Sequence, residues 1–186
     1  EAGISGEKSN GTSIPSTGSA TSYKAYAYAE GPIFTVSSIS TSATQASYSG
    51  ASSTLSATFN IQVQAVSGDV YIPSAAANTA TSTGAFVVSY GKNSERQNTV
   101  SSVTYVQPSG TTKVTVSGSG DYYKIGEGTT AIFAVGATYT TGTGNGEFYD
   151  LRMDKIVWRH TANGDNQVSD YMLGDSDWIS QQIALQ

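Results

Sequence analysis

From Leu55 to Ala65 the chain alternates without a break. Leu55, Ala57, Phe59, Ile61, Val63 and Ala65 are apolar, and Ser56, Thr58, Asn60, Gln62 and Gln64 between them are polar. A period of two puts the two sets on opposite faces of a strand, so the stretch predicts an inner strand with one packed and one wet face. Ser67-Gly68-Asp69 supplies turn chemistry, and Val70-Tyr71-Ile72 restarts as a strand that Pro73 stops, since proline has no N–H for a ladder. Composition agrees. Ser and Thr exceed a quarter of the 186 residues, Gly adds 20 and only 12% are charged, a mixture that favours short strands and turns over helix.

The remaining chain reads in the same terms. Residues 1–29 form an extended N-terminal arm ahead of a domain spanning 30–186. The arm's first 22 residues have only Ile4 and Ile14 as sizeable apolar groups and cannot offset their own ordering entropy. At the arm's end, YKAYAYA (Tyr23 to Ala29) alternates aromatic and small residues and predicts an edge strand offering Tyr23, Tyr26 and Tyr28 for interaction. Ile33 to Val36 opens the domain, and 37–53 reads as a polar loop. Strands follow at 85–90, 99–106 and 112–116, the last two read as a hairpin through Pro108-Ser109-Gly110. Residues 130–139 alternate with both faces apolar at the start, as in a central strand. Asn145-Gly146 then predicts a hairpin into a return strand at 147–160. In that strand Tyr149, Leu151, Met153 and Val157 share a face, Lys155 interrupts it, and Ile156 and Trp158 fall opposite, so a β-bulge near Lys155 is expected. Strand-like pieces close the chain at 170–173 and 178–185. Eight or nine strands with regular turn signals and no helical alternation predict an all-β, two-sheet antiparallel sandwich.

Several function classes are disfavoured. A net charge of −5 with nine scattered basic residues gives no electrostatic footprint for nucleic acid. No apolar run is long enough to span a membrane. Cysteine is absent, so neither disulfides nor thiolate metal sites exist. His160 is the only histidine and no Gly-x-Ser-x-Gly elbow accompanies it, which leaves no evident triad. The Gly-x-Gly-x-x pattern at Gly126 leads into a strand, where a dinucleotide site needs a helix. Asp150 and Asp154 share a strand face, but Arg152 between them reads as a solvated charge ladder. No enzyme is expected.

Two binding readings remain. Residues 160–186 carry Asp165, Asp170, Asp175 and Asp177 with no Lys or Arg, and oxygen-rich loops of this kind suit Ca²⁺; acidic solvated loops are the simpler reading, so no cofactor is required. Tyr23, Tyr26, Tyr28, Tyr122, Tyr123 and Trp178 are candidates for a carbohydrate platform, although strand tyrosines mostly pack.

Two blocks, Ser56 to Pro73 (ending AVSGDVYIP) and Tyr123 to Trp158 (YKIGEGTTAIFAVGATYT through LRMDKIVW), resemble the immunoglobulin-like β-sandwich domains of surface proteins from ultra-small, candidate-phyla bacteria. The resemblance implies a cell-surface location and structural or adhesive use, and transfers no site. The chain is therefore expected to be a non-enzymatic subunit of an extracellular fibre or surface layer, a homo-oligomer or polymer assembled by β-strand addition of its arm. The alternative is an extracellular adhesion or carbohydrate-binding module, stabilised by Ca²⁺, that meets a glycan or host surface.

Overall fold

A computed structural model describes residues 6–7, 13–14, 31–48, 50–75, 84–100, 102–142, 146–170 and 172–186. The described chain is nearly all β and its strand pairs are antiparallel. Within the arm, β1 (Gly6–Glu7) pairs with β2 (Ser13–Ile14).

β3 (Pro32–Thr44), β4 (Thr54–Ala65), β11 (Thr130–Thr140) and β8 (Ser102–Thr104) form a four-stranded sheet in that order. The alternation in β4 is realised in full: Leu55, Ala57, Phe59, Ile61, Val63 and Ala65 are all buried. β11 matches it residue for residue, Ala131 opposite Val63 through Tyr139 opposite Leu55. β11 is central as expected, yet only one of its faces is covered, because Ile132 on the other is exposed.

The second group orders β13 (Gln167–Ser169), β12 (Glu147–Trp158), β6 (Phe86–Lys92) and β7 (Glu95–Thr99), with β14 (Ile183–Leu185) also on β12. The third is β5 (Val70–Pro73), β10 (Gly120–Ile125) and β9 (Thr112–Val116). Reciprocal backbone hydrogen bonds of 2.9 Å between Tyr71 and Arg159 join β5 to the end of β12. One core unites the sheets. Phe133 of β11 lies 5.5 Å from Phe86 of β6, and Tyr139 stacks on Tyr90 at 3.9 Å.

The bulge expected near Lys155 is present: the register of β12 on β6 shifts between Met153 and Lys155. Leu151 and Met153 face the core before the shift, and Ile156 and Trp158 after it. Val157, expected beside them, falls on the other face and pairs with Val168.

Other expectations are corrected. Residues 37–44 continue β3 rather than forming a loop, because Ile39, Thr41 and Ala43 keep the alternation once the register shifts between Val36 and Ser38. Neither expected hairpin forms: β8 belongs to the four-stranded sheet and β9 to the three-stranded one, and β11 and β12 also lie in different sheets, Asn145 itself lying outside the described residues. The β6–β7 connection is instead the tight hairpin, with Asn93 and Ser94 at φ 51° and 72°, the pair of positive φ values that a type I′ turn uses. Where a strand was expected at 170–173, Met172 and Leu173 lie in a turn and the Leu173 N–H donates to the Asp170 carbonyl at 3.1 Å, Tyr171 lying outside the described residues; Trp178 ends a short 3₁₀ turn, Ser176–Trp178.

Candidate functional site: an open sheet edge

β3 pairs with β4 along one edge, and no described strand pairs with its other edge. Its 13 residues include no charged side chain and no proline after the first position. The other exposed edges among the described residues are shorter or charged: β7 carries Glu95 and Arg96, β9 carries Lys113, and β8 and β13 have three residues each. Charge, brevity, proline and bulges are the devices that keep an edge from pairing with another chain, and β3 has only its one bulge. Its inward row is also unfinished. Phe34 is buried, but Val36, Ile39 and Ala43 are only half-buried although they pack on the core. Tyr23, Tyr26 and Tyr28 lie outside the described residues.

The paired carboxylates form a different site from the solvated ladder expected of them. Asp150 and Asp154 are buried. Arg152 binds Asp150 through Nε at 2.5 Å and Nη2 at 2.9 Å. Arg96 binds Asp154 through Nε at 2.9 Å and Nη2 at 2.5 Å, and the buried Ser89 hydroxyl donates to the same carboxylate at 2.9 Å. Both guanidiniums are raised above the ordinary arginine value, chiefly by these hydrogen bonds. Each carboxylate is thus occupied by a forked cation: Arg96 ties β7 to β12 through Asp154, whereas Arg152 and Asp150 pair within β12. His160 stands edge-on to Trp158 at 4.5 Å, and Lys155 is half-buried beside the bulge.

Asp165, Asp170, Asp175 and Asp177 are exposed on the loops before and after β13. Asp175 caps the 3₁₀ turn, accepting from the Asp177 N–H at 3.0 Å. Among the described residues no three His, Cys, Asp or Glu side chains converge as a metal site would require. Tyr122, Tyr123 and Trp178 are buried and so form no platform: Tyr122 lies under the Arg159 guanidinium at 4.5 Å, and Tyr123 packs edge-on against Tyr105. Among the described residues Tyr48, which the sequence did not single out, is exposed at 72%, as is Phe148 at 51%. A cavity of about 440 Å³ opens beside Ser74, Ser119, Tyr122 and Arg159. Arg159 is already engaged there, by the Asn166 side chain at 2.6 Å and the Ala162 carbonyl at 3.3 Å.

Comparison with protein-family models, curated proteins and solved structures returns no match. One signal for the open edge of β3 stood in the sequence: no Asp, Glu, Lys or Arg occurs between Glu30 and Asp69.

Proposed function

We propose that this chain is a structural, non-enzymatic subunit of an extracellular homopolymer, a pilus-like fibre or surface layer. In this reading the sheets form an immunoglobulin-like sandwich, and the arm of one copy adds a strand to β3 of the next. The observation that carries it is the 13-residue, uncharged free edge of β3 with its half-buried inward row. Strand addition takes affinity from main-chain hydrogen bonds and specificity from alternate side chains. From Ala25 to Ala29 the arm has the alternation required, with Ala25, Ala27 and Ala29 on one face to extend the half-buried row of Val36, Ile39 and Ala43.

Deleting residues 1–29 tests this. The truncated chain is expected to remain folded and to stay monomeric by light scattering, while the full chain grows with concentration into regular fibres in negative-stain images. In the full chain, Thr41→Lys places an inward-pointing charge on the open edge and is expected to block growth in the same way. Fibres from the truncated chain would contradict the reading. Dependence on concentration separates addition to a neighbour from the arm folding back on its own β3.

A further inference from the structure

The outer face of the four-stranded sheet has a chemistry found on no other sheet of the described molecule. β4 presents Thr54, Ser56, Thr58, Asn60, Gln62 and Gln64 outward; beside it β11 presents Thr130, Ile132, Ala134, Gly136, Thr138 and Thr140. β3 continues the surface with Ser38, Ser40 and Ser42, and β8 with Ser102 and Thr104. None of these residues is charged. The outward side chains of β12, by contrast, include Asp150, Arg152 and Asp154, and the three-stranded sheet carries Lys113, Asp121 and Lys124.

Hydrogen bonds between side chains order the face. The Ser56 and Thr138 hydroxyls lie 3.2 Å apart across β4 and β11, and the Asn60 amide donates to Ser38 at 2.9 Å across β3 and β4. Gly136 at the centre admits the Thr104 hydroxyl, which a Cβ there would meet at 3.2 Å. Ile33 and Ile132, 51% and 54% exposed, flank Gln62 and Gln64 at one end and supply apolar anchors.

We propose that this face is a contact between two copies of the chain, packed face to face. Charge favours a second copy as the occupant. In a protein of net charge −5, two copies that meet on this face set no like-charged side chains opposite one another, a juxtaposition that costs several kcal/mol where it occurs. Area permits it: three long strands about 4.8 Å apart and some eleven residues of about 3.3 Å each give roughly 500 Å² per copy. Two copies then bury roughly 1,000 Å², the lower bound for a specific interface. No aromatic side chain stands on the face to stack a sugar ring. The contact goes beyond strand addition: the open edge extends a sheet in its own plane, whereas this face joins one sheet to another.

The test uses the full chain with Thr58→Glu or Thr58→Lys, at the centre of the row formed by Ser40, Thr58, Gly136 and Thr104. Each variant is expected to weaken lateral association at least tenfold, read as dimerisation by sedimentation equilibrium and as bundling of fibres in negative stain, with fibre length unchanged. An equimolar mixture of the two is expected to restore it, which a merely destabilised fold cannot do. Association unchanged in both variants, or lost in both and not restored on mixing, overturns the proposal. So does a wild-type chain that binds a neutral oligosaccharide through this face without self-associating. Loss of fibres on arm deletion reads the other contact separately, and if no fibres form at all, sedimentation of the three proteins still decides this one.

Discussion

At Gly91 the absence of a side chain is structural. A Cβ there would run into Asp150 Oδ1 and the Arg152 guanidinium, which close over this point of β6. Gly91→Ala must displace a buried ion pair, so it is expected to lower stability by about 1–3 kcal/mol, measured as a shift of the denaturant midpoint at unchanged slope. Surface pairs act differently. The Lys124, Lys113 and Lys92 ammoniums hold Asp69 and Asp121 below the ordinary aspartate value of 3.8, and Glu147 below 4.5. A carboxyl depressed by folding stabilises the fold above its unfolded value and loses that contribution as pH falls through the folded one. The lysines are raised above 10.5, so their contribution is complete below that value and is lost as pH rises through the raised one. The expected profile of melting temperature is flat from about pH 5 to 10 and declines on either side. Salt should flatten the acid decline, because these pairs are exposed, whereas on the alkaline side burial also raises Tyr105, Tyr139 and Tyr149; an acid decline of equal depth at low and high salt would contradict this assignment.

Among the elements, β4 and the β12 bulge were legible because burial on one face writes itself into sequence as period two, and a bulge as a slip in that period. The end of β3 was not: its inward positions Ile39, Thr41 and Ala43 pack at the margin of the core, where small and polar residues are tolerated. Asn145-Gly146 was misleading for a different reason. Local turn chemistry says nothing about which sheet receives the next strand, and long-range pairing of β12 with β6 decided it. The hairpin that does form, at Asn93 and Ser94, puts a serine at φ 72°. Left-handed backbone strains a residue with a Cβ by about 1–2 kcal/mol, and glycine's larger unfolded-state entropy offsets part of the relief. Ser94→Gly is therefore expected to raise stability by about 0.5–1 kcal/mol in chemical denaturation, and a lower midpoint would show that the turn is held by the serine itself.

For the whole molecule, both candidate contacts belong to one sheet. Its core face is closed along β4 and β11 and left half-buried along β3, and its outer face and free edge are without charge, while ion pairs occupy the three- and five-stranded sheets. The candidate site was only partly legible. The alternation of YKAYAYA suggested a strand that lacks a sheet, but the edge to receive it became visible only once the strand order was known. Amide hydrogen exchange across β3 in the full chain, followed as protein concentration rises, tests the central claim most directly. Strand addition predicts that the β3 amides pointing away from β4 slow markedly as the chains assemble, while β4 and β11 stay as protected as before. Exchange along β3 that is the same at every concentration would contradict it.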